Sequence, residues 1–252
     1  MTVGEPSLPF VAEVAARWRD GMIRAVGRSR RISVLYSGGL DSSLVAVGAR
    51  ELAEVELVTV GVRGSSDLLA AERGARVLGL PWVHRTVDQA DVEQILAAER
   101  GALQRARPGS RAVLVGIAFA LQTASESRVL CGQGADELFL GYAHFEGLSP
   151  TDSEAKRQED LDRLLQEDWP LSISLGVHVH RKLRSPFLES DFMGYVRALP
   201  IDQLRAGGGR KPLLRQVAAT LGVPPELAQR PKKAFQYGSG IERLLRSRSR
   251  SG

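Results

Sequence analysis

The strongest constraint in this chain is a turn. Residues 31–36 (RISVLY) form a short β-branched run that stops at Ser37-Gly38-Gly39, and residues 40–52 (LDSSLVAVGAREL) resume at once with helical spacing of apolar side chains. A buried strand that passes into a helix within three residues belongs to the βα units that assemble parallel sheets with right-handed crossovers. The unit recurs. Strands are expected over 55–62 (VELVTVGV) and 82–86, with a helix over 67–78 between them, and a fourth strand over 128–131 closes at Gly132-Gln133-Gly134. An amphipathic helix over 10–26 precedes the first strand, and helices are expected over 88–103 and 111–125, with Pro108-Gly109 as the break between them. From about residue 151 the pattern turns mostly helical, over 151–166, 169–182, 190–198, 212–221 and 241–246. The fold class that follows is α/β, a doubly wound parallel sheet of about five strands with a mostly helical C-terminal part.

The turn also carries chemistry. Two glycines allow the backbone to bend sharply and approach a ligand, and the N–H groups that follow open a helix, where unpaired donors and the dipole favour an anion. Ser37, Ser42 and Ser43 add hydroxyls, so Ser37, Gly38, Gly39, Ser42 and Ser43 suit a phosphate or pyrophosphate. The GxxxxGK pattern of a Walker A loop is absent. Asp41 is the anomaly, because a carboxylate beside an anion repels it unless a divalent cation intervenes; Asp41 is therefore a candidate Mg²⁺ ligand. A second cluster, Cys131-Gly132-Gln133-Gly134-Ala135-Asp136-Glu137, follows the fourth strand and should emerge at the same carboxyl edge of the sheet. Asp136 would supply a second hard oxygen, and the alternative reading of Asp136 and Glu137 as dipole-complementing residues of a helix start stays open.

Composition narrows the class further. One cysteine, Cys131, excludes an internal disulfide framework, a Cys-rich zinc site and a CxxC redox pair. The longest apolar run, 112–121, is too short to span a bilayer, and no signal peptide is visible, so a soluble cytoplasmic protein without membrane contact is expected. The net charge of +5 is spread along the chain except in the arginine-rich tail at 243–252. That tail reads either as a solvated terminus or as a nucleic-acid arm, and no aromatic residue interleaves with its arginines. His84, His144, His178 and His180 lack metal-ligand spacing and read as structural or surface residues. Cys131 ends an apolar strand, which favours a buried, inert thiol over a reactive one.

Taken together, Ser-Gly-Gly-Leu-Asp-Ser-Ser after a strand resembles the pyrophosphate loop of the ATP-pyrophosphatase superfamily, whose fold is adenine nucleotide alpha-hydrolase-like. Cys131-Gly132-Gln133-Gly134-Ala135-Asp136-Glu137-Leu138-Phe139-Leu140-Gly141-Tyr142 resembles the second loop of the asparagine synthetase family's synthetase domain. Further segments are similar in the same order: Gly64-Ser65-Ser66-Asp67, Arg184-Ser185-Pro186-Phe187-Leu188-Glu189, Lys211-Pro212-Leu213-Leu214-Arg215, and Arg230-Pro231-Lys232 with Phe235 and Gly238-Ser239-Gly240. The likeness covers roughly residues 20–245. It implies a nucleotide-binding core with its N-terminal helix over 1–150, and a helical portion over 151–252 that completes the same domain and ends in a basic, frayed tail at 247–252.

The resemblance implies a reaction and its residues. A carboxylate, aspartate or an analogue, attacks the α-phosphorus of ATP, pyrophosphate leaves, and ammonia or another amine captures the acyl-adenylate. ATP and Mg²⁺ are the implied cofactors. Lys232 would contact the reacting phosphate, with its neighbour Lys233 more exposed to solvent; Arg230 and Lys211 are weaker candidates for the same electropositive wall. Leu35, Val60 and Gly132 would border the adenine, with Cys131 beside them. One departure bears on the second half-reaction: Gln133 stands where the family usually has Glu, and an amide orients a substrate but takes no proton at neutral pH. Thr2 follows Met1, where the family's glutaminase domain has its cysteine nucleophile, so the expected partners are free ammonia, another amine or a separate glutaminase subunit. A homo-oligomer is compatible with all of this, and nucleic acid is disfavoured. Two other readings stand beside the ligase: a tRNA-modifying enzyme that adenylates a base carbonyl, and a nucleotide-binding subunit that has lost catalysis.

Overall fold

The computed structural model describes residues 7–230 and 238–248. Five strands form one sheet: β1 (Arg31–Leu35), β2 (Glu54–Gly61), β3 (Trp82–Thr86), β4 (Arg128–Leu130) and β5 (Lys182–Arg184). Their order is β3-β2-β1-β4-β5, and every neighbouring pair is parallel. The chain therefore winds outward from β1 through β2 to β3, then returns to the other side of β1. The reversal lies between β1 and β4, and the loops leaving those two strands stand side by side at the carboxyl edge.

Alternation along the strands divides the core between the two faces of the sheet. In β2, Val55 and Leu57 join one apolar cluster while Val58 and Val60 join the other. The first face is covered by α1 (Leu8–Val26), α2 (Leu40–Arg50) and α3 (Ser66–Leu78), together with C-terminal helices α10 (Ser190–Arg197) and α12 (Pro212–Thr220). The second face takes α4 (Gln89–Ala98), α5 (Arg100–Leu103), α6 (Pro108–Thr123), α9 (Trp169–His178) and the start of the last described helix, whose Ile241 is fully buried. Between these, α7 (Ala135–Leu138) is a single turn after β4, and α8 (Pro150–Arg163) runs through a π-helical turn, Leu164–Asp168, into α9. The short α11 (Ile201–Arg205) and α13 (Pro225–Ala228) flank α12, and α14 (Ile241–Arg248) follows. No helix among the described residues is long and apolar enough to cross a membrane.

Several expected boundaries move, each for a local reason. Pro108 does not break the chain but starts α6, because a helix's first turn needs no N–H there. The helix expected over 88–103 splits at Glu99 into α4 and α5; Asp88 caps α4 in a reciprocal box with Asp91. The helix expected over 169–182 ends at His178, and Lys182 opens β5 instead. The turn between them is pinned by the Arg181 guanidinium, whose Nε and Nη2 donate to the Ala124 carbonyl at 3.1 and 2.7 Å. Helix α14 continues through Arg248, so the first two residues of the tail expected to fray are helical.

The N-terminal helix is fixed by one aromatic cluster. Trp18 is fully buried, with its ring centroid 4.5 Å from Phe187 and 5.4 Å from Phe192. Trp18→Ala should destabilise the protein by about 3–5 kcal/mol, read as a lowered urea midpoint with an unchanged slope; a shift under about 1 kcal/mol would mean that α1 is not part of the cooperative core.

Candidate active site

Tyr36, Ser37, Gly38 and Gly39 carry the chain from β1 into α2. Gly38 has φ +66°, and a Cβ there would sit 2.6 Å from the backbone carbon and oxygen of Ala70, so the loop lies directly on α3. The loop is braced from within: Ser37 N–H donates to Ser42 Oγ at 3.2 Å, and Ser42 Oγ donates to the Gly39 carbonyl at 3.1 Å. Arg230 braces it from outside, donating to the carbonyls of Ser37 and Gly38 at 3.2 and 3.1 Å. With these carbonyls satisfied by a cation, the loop's remaining polarity is that of its N–H groups. Ser43 departs from the expected role: its hydroxyl is buried and lies 3.2 Å from Tyr36 Oη, inside the fold.

The second loop is joined to the first through a residue distant in sequence. Lys211 Nζ lies 2.6 Å from Asp41 Oδ1 and 2.7 Å from Asp136 Oδ1, and Lys211 itself is only 5% exposed. The fit requires Gly141, because a Cβ there would fall on the Asp136 carboxylate and the Lys211 side chain. Lys211, a weaker candidate for the electropositive wall, does not line the cavity described below; it holds the two carboxylates from behind. Arg230 likewise backs the loop rather than facing the cavity.

Both loops open onto a cavity of about 510 Å³. Leu35, Val58, Val60, Leu114, Ile117 and Ala120 form an apolar end between the strand tips and α6. Ser37, Asp41, Ser42, Gly132, Gln133 and Asp136 form its floor, and Cys131 borders it. Gly38 and Gly39 shape the first loop without lining the space. Lys232 and Lys233 lie outside the described residues. The opposite end is charged, with Arg107, Ser110, His144, Asp160, Arg163 and Asp168. Gln133 is held at both ends of its amide: the Cys131 thiol lies 3.7 Å from its carbonyl oxygen, and its Nε2 donates to Ser172 Oγ at 3.4 Å. Burial pushes the Cys131 thiol pKa up to about 12, which suits the inert reading.

Two cavity residues went unassigned in the sequence. Tyr142 Oη donates to Glu137 Oε1 at 2.6 Å, and both side chains line the space. Burial, aided by the Asp136 charge, raises the Glu137 pKa from 4.5 to about 7, while the Tyr142 hydrogen bond opposes the rise. Burial also lifts the Tyr142 phenol well above its ordinary value. The DELFLGY spacing around the turn was the available signal. His144 too faces the cavity, but it is paired with Asp160 at 2.7 Å, and His178 pairs with Glu99 at 2.7 Å, as structural histidines do.

The donor chemistry fits Mg²⁺ in one specific way. Among the described residues no group of three or more His, Cys, Asp or Glu side chains could hold a metal by itself. Two carboxylates gathered at one point of a cavity floor meet the ion's habit of taking one or two protein carboxylates together with substrate phosphates and water.

Comparison with known proteins agrees with the two loops. The profile of the asparagine synthase family matches residues 17–174 and 174–251. The chain is 33% identical over 230 residues to the glutamine-hydrolyzing asparagine synthetase of Mus musculus, a match that covers 83% of this chain and 40% of that protein. It is 32% identical over 228 residues to the Homo sapiens protein of the same name, with the same coverage. The chain thus spans less than half the length of these curated relatives. A solved structure of NMN synthetase from Francisella tularensis aligns with a TM-score of 0.45 and 12% identity, covering 95% of this chain and 85% of that one, a likeness too distant to carry any conclusion.

Two outcomes test the geometry. Lys211→Met should cost about 3 kcal/mol, because two carboxylates lose a shared buried cation; a loss below about 1 kcal/mol in chemical denaturation would remove Lys211 as the clamp between the loops. Glu137→Gln should change stability with pH. A carboxyl whose folded pKa is raised stays protonated longer in the fold, so the penalty for ionising it grows between about pH 4.5 and 7 and is complete above 7. Relative to the parent, the Gln variant should therefore gain roughly 3 kcal/mol on going from pH 4 to pH 8, measured by urea unfolding at both values; a pH-independent difference would contradict the buried carboxyl.

Proposed function

We propose, from the premise that the chain belongs to the asparagine synthase family, that its cavity activates a carboxylic acid with ATP and delivers the acyl group to an amine. The observation that carries this reading is the meeting of both loops at the reversal of strand order, with Asp41 and Asp136 gathered on the floor of one cavity. In the first step a carboxylate oxygen bonds to the α-phosphorus, the bond to the β-phosphate oxygen breaks, and pyrophosphate leaves. In the second the amine nitrogen bonds to the acyl carbon, AMP departs, and the nitrogen loses a proton to solvent. No protein nucleophile is required.

Each part of the cavity has a task in that sequence. The apolar end formed by Leu35, Val60 and Ile117 suits an adenine ring. The N–H groups after Gly38 and Gly39, with Ser37 and Ser42, suit the pyrophosphate. Asp41 and Asp136 would hold the Mg²⁺ that arrives with the nucleotide and neutralises charge on the departing pyrophosphate. Lys232 is assigned to the α-phosphate by its place in the sequence pattern. Gln133, fixed between Cys131 and Ser172, can orient the acyl group through its amide but cannot take the amine's proton. Ammonia is the simplest acceptor, free in the cytoplasm or released by a separate glutaminase subunit.

Exchange of labelled pyrophosphate into ATP, measured against a panel of carboxylic acids with and without ammonium chloride, tests the reading. Acid-dependent exchange is expected, with Asp41→Asn and Asp136→Asn each lowering it by about 10²-fold or more and Lys232→Ala lowering it more than Lys233→Ala. Exchange that requires tRNA instead of an acid would overturn the ligase reading in favour of base modification. Nucleotide binding without exchange for any acid would favour a regulatory subunit.

A further inference from the structure

A second cavity, of about 530 Å³, lies away from the two loops, between α4, α5, α6 and α14. It shares no lining residue with the first cavity. Helix α6 stands between them: Ser110, Val113 and Ile117 line the first and Arg111 lines the second. On the other wall Glu93, Leu96, Ala97, Arg100 and Gln104 recur at intervals of one helical turn, so α4 and α5 present one stripe to the space despite the break at Glu99.

The lining divides into an apolar part and a cationic part. Leu96, Leu103 and Leu245 supply the apolar surface, with Leu103 almost fully buried. Arg100, Arg111 and the neutral amide of Gln104 supply donors. Among the described residues no carboxylate lies within ion-pair distance of Arg100 or Arg111, whereas Arg107 and Arg246 close by in sequence each have one. Arg111 is also short of acceptors. Its Nη2 donates to the Ala106 carbonyl at 3.4 Å, and its Nε is buried with no hydrogen-bond partner. A buried N–H without an acceptor is costly, so the complement of this wall is an oxygen, best an anionic one.

Charge and volume narrow the class of anion. Glu93 is the one acid in the lining, and its Oε1 accepts from Gln89 Nε2 at 3.3 Å. Two guanidiniums against one carboxylate leave a single positive charge, which a monoanion neutralises and a dianion overshoots. The planar fork of a guanidinium matches the two oxygens of a carboxylate. The three leucines call for an apolar body behind that headgroup, and the volume lies within the roughly 300–1,000 Å³ typical of small-molecule sites.

We propose that this second cavity binds a small organic monocarboxylate, its headgroup between Arg100 and Arg111 and its apolar body on Leu96, Leu103 and Leu245. The proposal is independent of the ligase reading: the site holds neither glycine loop, and its occupant is not the acid that the first cavity activates.

Octanoate serves as the probe, titrated calorimetrically into the full chain with Mg²⁺ and a saturating non-hydrolysable ATP analogue. Acetate keeps the headgroup without the body, octanol the body without the charge, and octyl phosphate carries the dianionic alternative. Octanoate should saturate one site per chain and bind about ten-fold or more tightly than acetate or octanol. Arg100→Gln and Arg111→Gln should each weaken octanoate by about five-fold or more. Ala97→Phe, which fills the space and leaves both charges, should abolish binding. Arg100 and Ala97 are exposed on their helices, so their variants should keep the parent's urea midpoint and serve as the test even if Arg111→Gln fails to fold. Absence of saturable octanoate binding would overturn the proposal. So would octanoate binding that stays within about two-fold of the parent in Arg100→Gln and Ala97→Phe, since the acid would then sit elsewhere, the first cavity included. Octanol binding as tightly as octanoate would reduce the site to an apolar crevice, and octyl phosphate binding about ten-fold more tightly would make it a phosphate-ester site; either result overturns the monocarboxylate assignment.

Discussion

The rest of the site depends on one buried ammonium. Lys211 Nζ holds Asp41, on the loop after β1, and Asp136, on the loop after β4, at 2.6 and 2.7 Å. Without that cation two carboxylates would face each other across a narrow gap between parallel strands, and their repulsion would separate the loops. Lys211 adopts φ 52° and ψ 46°, a left-handed conformation that an L-residue takes at a cost of about 1–2 kcal/mol. Pro212, the first residue of α12, disfavours the helical region for the residue before it. The ion pair and the proline together hold a backbone conformation that neither strand nor helix would select.

This arrangement also limits what the floor of the cavity can do alone. Asp41 and Asp136 bring two carboxylates to a place where the proposed reaction would put anionic phosphates. Arg230 offsets the problem on the other side of the first loop by saturating the carbonyls of Ser37 and Gly38, so that oxygen dipoles do not add to the repulsion.

The parts of the fold legible in the sequence were those with strong periodicity. Strands β1 to β4 and helices α2, α3 and α12 lie within a few residues of their expected places, because buried parallel strands and amphipathic helices write their contacts into apolar spacing. Strand β5 escaped for a physical reason: of Lys182, Leu183 and Arg184 only Leu183 is buried, so an edge strand of three residues carries a single apolar signal. The π-helical turn escaped because 164–168 is as helical in composition as its neighbours; what distinguishes it is hydrogen-bond register. In the site, Ser37, Asp41, Ser42, Cys131, Gly132, Gln133 and Asp136, singled out by two glycine-bounded motifs, line one cavity together with Leu35 and Val60, which the resemblance named. Ser43 does not; a motif does not say which of two adjacent hydroxyls turns inward. Lys211 was named only through the resemblance, and its contact with Asp41, 170 residues away, is one that no local pattern encodes.

Gln133 shows how far a single substitution can be read once its neighbours are known. As a sequence difference it removes a proton acceptor. In the fold its amide is bound at both ends, to the Cys131 thiol and to Ser172, and Ser172 continues to the main chain of Asp168. A glutamate at this position could not donate to Ser172, and its charge would sit over a thiol that burial keeps protonated. The neutral amide therefore matches this particular wall and its cysteine as a set. In the proposed reaction, the first step would need charge stabilisation on phosphate and would draw on residues that this change does not touch. The proposed second step would then release its proton by another route, and an amine with a low enough pKa to arrive neutral, or solvent at the open end of the cavity, would supply one without any base at 133.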